Sequence, residues 1–291
     1  MKKLLKILEP YLMIFPAMVF LMIFSLYPLV NLVHLSFTNW KIITPNFKYV
    51  GFSNYEVLFS NPDFLKTIMN SGIYTLSMVA LLIVLSLIVA VWLNKSSRFD
   101  RFVQSAMFTP HIISLVSVSM VWMWLMDSRT GFLNSVLNLA GLPALKWLDS
   151  KDTAMLSIIL VSVWKSLGYY TLVIIASLKS IPESIYEAAA LDNAGRIKVF
   201  FKITLPMLSP QLFFLLVVIT MGSFKVFDTV RIMTGGGPAG ATEVMATYIY
   251  ETAFNNMRTG MASAAGTVLL AILMIMTALY FKTLSKKVYY Q

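Results

Sequence analysis

Residues 180 to 210 read SIPESIYEAAALDNAGRIKVFFKITLPMLSP, a polar-edged stretch set between two long apolar ones, and the fold is read outward from it. Ser180 and Glu183 have the spacing of a capping box, and Pro182 falls in a first helical turn, where its missing N–H is harmless. A helix is therefore predicted to begin here and to stop near Asn193. Ala188, Ala189 and Ala190 are strong helix formers without bulk, so such a helix can approach a partner closely. Asp192, Asn193, Ala194 and Gly195 read as a turn, because Asn tolerates the left-handed conformation and Gly adopts it freely. A second helix then carries Ile197, Phe200, Phe201 and Ile203 towards Pro206, giving a helical hairpin over 180–206 that ends in a proline hinge.

The rest of the chain says where this hairpin sits. Of 291 residues, 58% are hydrophobic and 12% charged, outside the range of a soluble globular domain. Crossing a ~30 Å hydrocarbon layer takes about 20 apolar residues. Six stretches qualify, at about 11–34, 68–93, 106–126, 154–178, 209–230 and 261–281. The fold class is all-α, a polytopic membrane protein of six transmembrane helices, and no intervening block is patterned for a separate soluble domain. One transmembrane domain over 1–291 is expected.

Positive charge orients the spans. Lys2, Lys3 and Lys6, then Lys95, Arg98 and Arg101, then Lys179, Arg196, Lys198 and Lys202, then Lys282, Lys286 and Lys287 alternate with longer loops poorer in net basic charge. Both termini and the hairpin are thus expected on the cytoplasmic face. This bias accounts for the net charge of +10 without nucleic acid. The first apolar stretch is too long for an ordinary signal-peptide core and has no small-x-small cleavage site, so it reads as an uncleaved span. With no cysteine, neither a disulfide framework nor a thiolate metal site is available. His34 and His111 read as packed or interfacial residues, and Trp122 and Trp124 as an interfacial belt.

Two spans carry charge. Lys165 lies midway along the fourth in SVWKSLGYY, 162–170, and a cation there costs several kcal/mol unless it reaches a partner or a polar cavity. It must face inward, and helical spacing puts Ser162, Lys165, Ser166 and Tyr169 on one side, with Trp164 and Tyr170 nearby. Either a polar cavity or a lysine paired within the bundle satisfies this. In the fifth, GSFKVFD at 222–228 places Lys225 and Asp228 at i, i+3, where they pair on one helix face or meet a solute, beside Ser223, Phe224 and Phe227. Residues 128–153 are patterned for a short amphipathic helix stopped at Gly141 to Pro143, and the small residues of GMASAAG, 260–266, suit close helix packing at a contact between two membrane subunits.

Glu187, Ala188, Ala189, Asp192, Ala194, Phe200, Ile203, Leu205 and Pro206 resemble the EAA loop of bacterial ABC-importer permeases, with Asn193 where that family usually has Gly. The likeness covers nearly the full length. The outer loop VGFSNYEVLFSNPDF at 50–64, a kink at Thr109 and Pro110, W-K-x-x-G-Y from Trp164, S-F-x-x-F-D from Ser223 and TGGGP at 234–238 all resemble carbohydrate-type permeases. The resemblance implies one permease subunit of an ATP-driven importer that moves a sugar or oligosaccharide into the cytoplasm. It pairs, on that reading, with a second homologous permease, two ATP-binding subunits and an extracytoplasmic solute-binding protein, all at the cell membrane. Coupling to the ATPases is implied for Glu187, Ala188, Ala189, the turn Asp192, Asn193, Ala194 and Gly195, and Phe200. The solute path is implied for Ser162, Trp164, Lys165, Ser166, Tyr169, Tyr170, Ser223, Phe224, Lys225, Phe227 and Asp228.

No cofactor is called for. The sequence holds no P-loop, no H-E-x-x-H pair, no intramembrane carboxylate pair and no serine elbow, so this chain is expected to be no enzyme. Two lysines near the path also suit an anionic solute, a sugar phosphate or uronate oligosaccharide. An ion-coupled secondary transporter with Lys225 and Asp228 as its relay, or a membrane scaffold, are the readings from other classes.

Overall fold

The computed structural model describes residues 2–44, 47–95 and 97–284, with side chains from residue 11 onward. Helix accounts for the architecture, in the order α1 (Lys2–Leu21), α2 (Tyr27–Ser36), α3 (Ser53–Ser60), α4 (Pro62–Leu93), α5 (Arg98–Ile112), α6 (Leu115–Leu125), α7 (Phe132–Leu139), α8 (Ala154–Lys179), α9 (Glu183–Leu191), α10 (Arg196–Val199), α11 (Leu205–Met207), α12 (Ser209–Phe224), α13 (Asp228–Met233), α14 (Met245–Tyr250) and α15 (Thr259–Thr283). The only bridge pairs among the described residues are isolated, Thr38 with Tyr49 and Lys41 with Thr44.

Five helical runs are long and apolar enough to span a bilayer: Tyr11–Ser36, Pro62–Leu93, Ala154–Lys179, Ser209–Met233 and Thr259–Thr283. The third expected span is a bent pair, α5 and α6 meeting at 99°. The sequence places its break at Thr109 and Pro110, but α5 carries Pro110 inside it and runs on to Ile112. The second span also begins earlier than its apolar run, at Pro62, because the preceding segment is helical too.

Proline acts twice in another way. Wide π turns occupy Met22–Leu26 and Phe200–Thr204, just ahead of Pro28 and Pro206 in the first turns of α2 and α11. A proline cannot donate to the carbonyl four residues back and its ring crowds that oxygen, so widening the turn relieves the clash without ending the helix. The expected hinge at Pro206 is therefore a continuous helical path from Arg196 to Met207.

The chain forms two compact units, Met1–Pro62 with Tyr248–Ala271, and Asp63–Thr247 with Ile272–Gln291. In the first, the loop after α2 is organised by Asn54, whose amide donates to the carbonyls of Ser36 at 2.7 Å and Thr38 at 2.9 Å. Phe37 stacks edge-on against Phe52 with centroids 5.3 Å apart, and Ser36 Oγ lies 2.7 Å from the Tyr55 hydroxyl. His34 is exposed, bonded to the Tyr49 hydroxyl and edge-on to the rings of Phe47 and Tyr49. Gly260 donates its N–H to the Trp40 carbonyl at 2.9 Å, and a Cβ there would stand 2.0 Å from the Thr38 oxygen. At Gly260 the small-residue run thus packs on the loop of its own chain, where a contact between two permeases was expected; only glycine allows that approach.

In the second unit α8 is the central helix: half of its most apolar window is buried, against 28% for α4 and 39% for α12 with α13. Ile158, Ile159, Ile174, Ile175 and Leu178 of α8 pack with Met78 and Leu82 of α4 and Leu215 and Ile219 of α12. Between α4 and α5 stands a capping box the sequence reading passed over. The Asp100 N–H donates to Ser97 Oγ at 3.1 Å, and the Ser97 N–H returns to the Asp100 carboxylate at 3.2 Å. No box forms at Ser180, which ends α8 with its hydroxyl on the Ser177 carbonyl at 2.8 Å. Pro182 is the N-cap of α9 instead.

Candidate functional site

The W-K-x-x-G-Y positions of α8 all meet the bent third stretch. Trp164 lies edge-on to Trp122 of α6, centroids 5.4 Å apart, and Tyr169 stacks on His111 of α5 at 4.6 Å and 10°. A Cβ on Gly168 would stand 1.9 Å from the Met107 carbonyl oxygen, so the glycine is what lets the backbones of α5 and α8 approach. Lys165 sends its ammonium to the carbonyls of Pro110 at 2.9 Å, His111 at 3.3 Å and Ile113 at 2.6 Å. The end of any helix leaves carbonyls without N–H partners, and an ammonium has three donors. Lys165 therefore faces inward as the apolar surroundings demand, but it is held on backbone oxygens.

Beside this clamp is a cavity of about 290 Å³. Eight of the residues read for the solute path line it: Ser162, Lys165, Ser166 and Tyr170 from α8, and Ser223, Lys225, Phe227 and Asp228 from the fifth span. Three do not. Phe224 is 5% exposed in the packed interior, Trp164 lies on Trp122, and Tyr169 is drawn off the shared face by its stack on His111.

The i, i+3 reading of Lys225 and Asp228 also fails, because α12 ends at Phe224 and Asp228 opens α13. Lys225 lies in the break and Asp228 at its far end, both exposed and both on the cavity. The chain turns there on its own backbone, Lys225 N–H to Gly222 O at 3.2 Å and Val226 N–H to Ser223 O at 3.1 Å.

Sequence reasoning missed Tyr74 and His111 on this cavity. A signal for Tyr74 exists: Asn70, Ser71, Tyr74 and Thr75 are buried polar residues at helical spacing along α4. For His111 the signal was local and ambiguous, since its place on the wall comes from the bend just beyond it.

A second candidate site is the hairpin. Asn193 has φ +52°, with the Ala194 N–H on the Ala189 carbonyl and the Asn193 N–H on that of Ala190, both at 3.0 Å. This is the Schellman ending of α9, and it explains why Asn stands where the resembling pattern has Gly. Gly195 does not take the left-handed region; it is extended at φ −62° and precedes α10. Between α9 and the helical path after it is a groove of about 520 Å³ on which Ala188, Ala189, Asp192 and Ala194 lie, with Lys198 and Lys202 opposite. Glu187 and the turn residues Asn193 and Gly195 are exposed, and Phe200 is half-buried on the other side. Leu191, Ile197 and Phe201 of the hairpin are 86%, 76% and 60% exposed.

The glycine-rich segment from Thr234 to Glu243 is folded onto α4. Lys66 donates to the Ala239 carbonyl at 2.8 Å, and the Asn70 amide to those of Gly240 at 3.0 Å and Glu243 at 2.9 Å. Beyond α6, Asp127 Oδ1 accepts from the N–H groups of Thr130 at 2.7 Å and Arg129 at 3.0 Å and from the Thr130 hydroxyl. Those bonds, the Thr130 N–H first, hold its carboxyl below the usual carboxylate range. The expected amphipathic helix is α7, stopped by Gly141 at φ +73° and fixed by Asn134, whose amide bridges Ser128, Leu145 and Trp147.

Broken apolar helices around a cavity that mixes polar and apolar side chains, with an exposed hairpin at the end of the central helix, are the features of a multi-pass membrane transport subunit. The family model described as the inner membrane component of binding-protein-dependent transport systems matches residues 82–288. The probable ABC transporter permease protein YurN of Bacillus subtilis is 37% identical, over 94% of this chain and 96% of that one. SmoG of Agrobacterium fabrum, a sulfoquinovosyl glycerol transport system permease protein, is 32% identical over 95% and 90%. UgpA of Pectobacterium atrosepticum, an sn-glycerol-3-phosphate transport system permease protein, is 30% identical over 97% and 96%. A chain of the crystal structure of a bacterial alginate ABC transporter, in complex with an alginate pentasaccharide-bound periplasmic protein, has the same fold. The TM-score is 0.86 at 23% identity, covering 99% of this chain and 100% of that one.

The chain belongs to the family of inner membrane components of binding-protein-dependent transport systems. It is an ABC transporter permease, multi-pass in the inner membrane and not an enzyme, which sets aside the ion-coupled and scaffold readings.

Proposed function

We propose that this permease carries a sugar derivative bearing negative charge into the cytoplasm. The observation that carries the reading is the cavity, where the Tyr170 and Phe227 rings, the Ser162, Ser166 and Ser223 hydroxyls and the exposed Lys225 and Asp228 converge. Rings suit sugar C–H faces, hydroxyls and Asp228 suit sugar hydroxyls, and Lys225 suits a phosphate, sulfonate or carboxylate. The relatives named for sulfoquinovosyl glycerol and sn-glycerol 3-phosphate support an acidic solute over a neutral one.

The working assembly is this chain acting as one permease domain with a second homologous permease, two ATP-binding subunits and an extracytoplasmic solute-binding protein. The hairpin and both termini face the cytoplasm, in line with the Lys and Arg bias of the loops. Docking of an ATPase on the hairpin is supported by its exposed apolar side chains, Leu191, Ile197 and Phe201, and by its open groove lined by Ala188, Ala189 and Asp192. The test is uptake into proteoliposomes by the complex purified through this chain. ATP-dependent uptake of sn-glycerol 3-phosphate or sulfoquinovosyl glycerol, with little of maltose, supports the acidic class. Uptake of maltose alone overturns it, and purification without any ATPase overturns the assembly.

A further inference from the structure

Lys165 sits in the wall of the proposed solute cavity, yet each of its three ammonium hydrogens has a backbone oxygen to reach. The oxygens belong to Pro110, His111 and Ile113, which flank the 99° bend between α5 and α6. In an unbroken helix those carbonyls would accept the N–H groups of residues 114, 115 and 117. Here the Val118 N–H bonds Ser114 O at 3.0 Å, so regular pairing resumes only beyond the break. Unpaired carbonyls inside an apolar layer are expensive, and straightening would satisfy them. The same lysine is 9% exposed, on the stretch of α8 between Trp164, which lies on Trp122, and Gly168, which lies against Met107, so its donors are already committed to the bend on the face where α8 meets α5 and α6.

We propose that Lys165 is a positioning residue: it stands in for the missing backbone donors at the bend, fixing α6 across the end of α5, and does not bind solute. The bend in turn sets where His111 and Leu115 stand in the cavity wall. The cavity's other lysine, Lys225, is left to meet the charge of the solute, so this inference rests on the proposed cavity only for that last assignment.

The chain has no cysteine, so a pair can be introduced for spin labels. Phe102→Cys on α5 and Trp124→Cys on α6 are suitable, at 72% and 69% exposed. At 1.5 Å per residue, their backbones stand roughly 20 Å apart with the bend and about 33 Å apart in a straight helix. The distance is measured in the complete transporter purified from its membrane, with the label background taken from the complex without the added cysteines. Lys165→Met is expected to lengthen and broaden the distribution, and Lys165→Arg, which keeps charge and donors, to hold it near the parent.

Uptake of sn-glycerol 3-phosphate by the same preparations should show Vmax falling about tenfold in Lys165→Met with KM within about twofold. An unchanged distance with KM raised tenfold makes Lys165 a solute ligand and overturns the proposal, as does an unchanged distance with unchanged uptake. If Lys165→Met leaves no complex to purify, Lys165→Gln is measured in its place; it keeps two N–H donors on a shorter stem and is expected to fall between. A parent complex that takes up no sn-glycerol 3-phosphate bears on the solute class alone, since the distance is read without solute.

Discussion

The second unit breaks its backbone twice within apolar stretches, at Ile113–Ser114 and at Lys225–Phe227, and each break has a lysine beside it. At the first, the lysine comes from another helix and its hydrogens go to the broken end. At the second, Lys225 lies in the break itself, the backbone closes on its own carbonyls, and the ammonium stays exposed on the cavity. A membrane lysine is thus defined by where its donors go rather than by its depth in the apolar run. The same residue type reaches broken backbone at one break and faces the open cavity at the other.

The contrast is broken most forcefully at Gly168. Its Cβ position meets backbone, which cannot step aside, so Gly168→Val is expected to separate α5 from α8 and cost about 3 kcal/mol or more. Thermal unfolding of the purified complex should register the loss, and a variant of parental stability would mean the two helices are not held at this point. Lys225→Met should do the opposite: assembly and melting stay within about 0.5 kcal/mol of the parent, while KM for an acidic solute rises about tenfold. A melting loss as large as that of Gly168→Val would put Lys225 in the scaffold and erase the distinction.

Smaller effects test sites remote from both breaks. Asn193→Ala puts a methyl-bearing residue at φ +52° and should cost about 1 kcal/mol, read as faster proteolysis of the hairpin turn, with Asn193→Gly at least as resistant as the parent. Smallest is the turn at Asp127. Its folded carboxyl titrates below its unfolded range, so its contribution is complete above about pH 4 and fades as pH falls through the lower folded value. Amide exchange at Thr130, measured relative to neighbouring amides, should speed up only in that acid window, and Asp127→Asn should remove the dependence.

What the sequence made legible was whatever local chemistry decides. Apolar length located the spans, and the run from Glu183 to Asn193 announced its helix and its left-handed stop. The capping box at Ser97 and Asp100 was equally local and equally readable. A break in the third span was legible at Pro110, but its place after Ile112 was not, because the group that tolerates it, Lys165, is more than 50 residues away and reaches it only through the close contact of Gly168. The Lys225 and Asp228 pairing presumed a helix that the structure ends at Phe224. The cavity was half legible for the same reason: α8 and the fifth span advertised polar residues inside apolar runs, while Tyr74 and His111 join them through packing.

The π turn at Phe200–Thr204 has a further consequence, for chain length. A π turn holds one residue more than the α turn it replaces, so losing a single residue from this segment restores ordinary winding without rotating the helix beyond it. With Pro206 in place the extra residue is where the crowding goes; with alanine there, the surplus becomes free to leave. Residues 200–204 are therefore a point where a one-residue deletion paired with Pro206→Ala keeps α12 in angular phase with α10, whereas the same deletion in the middle of α8 would turn half of its faces by about 100° relative to the other half.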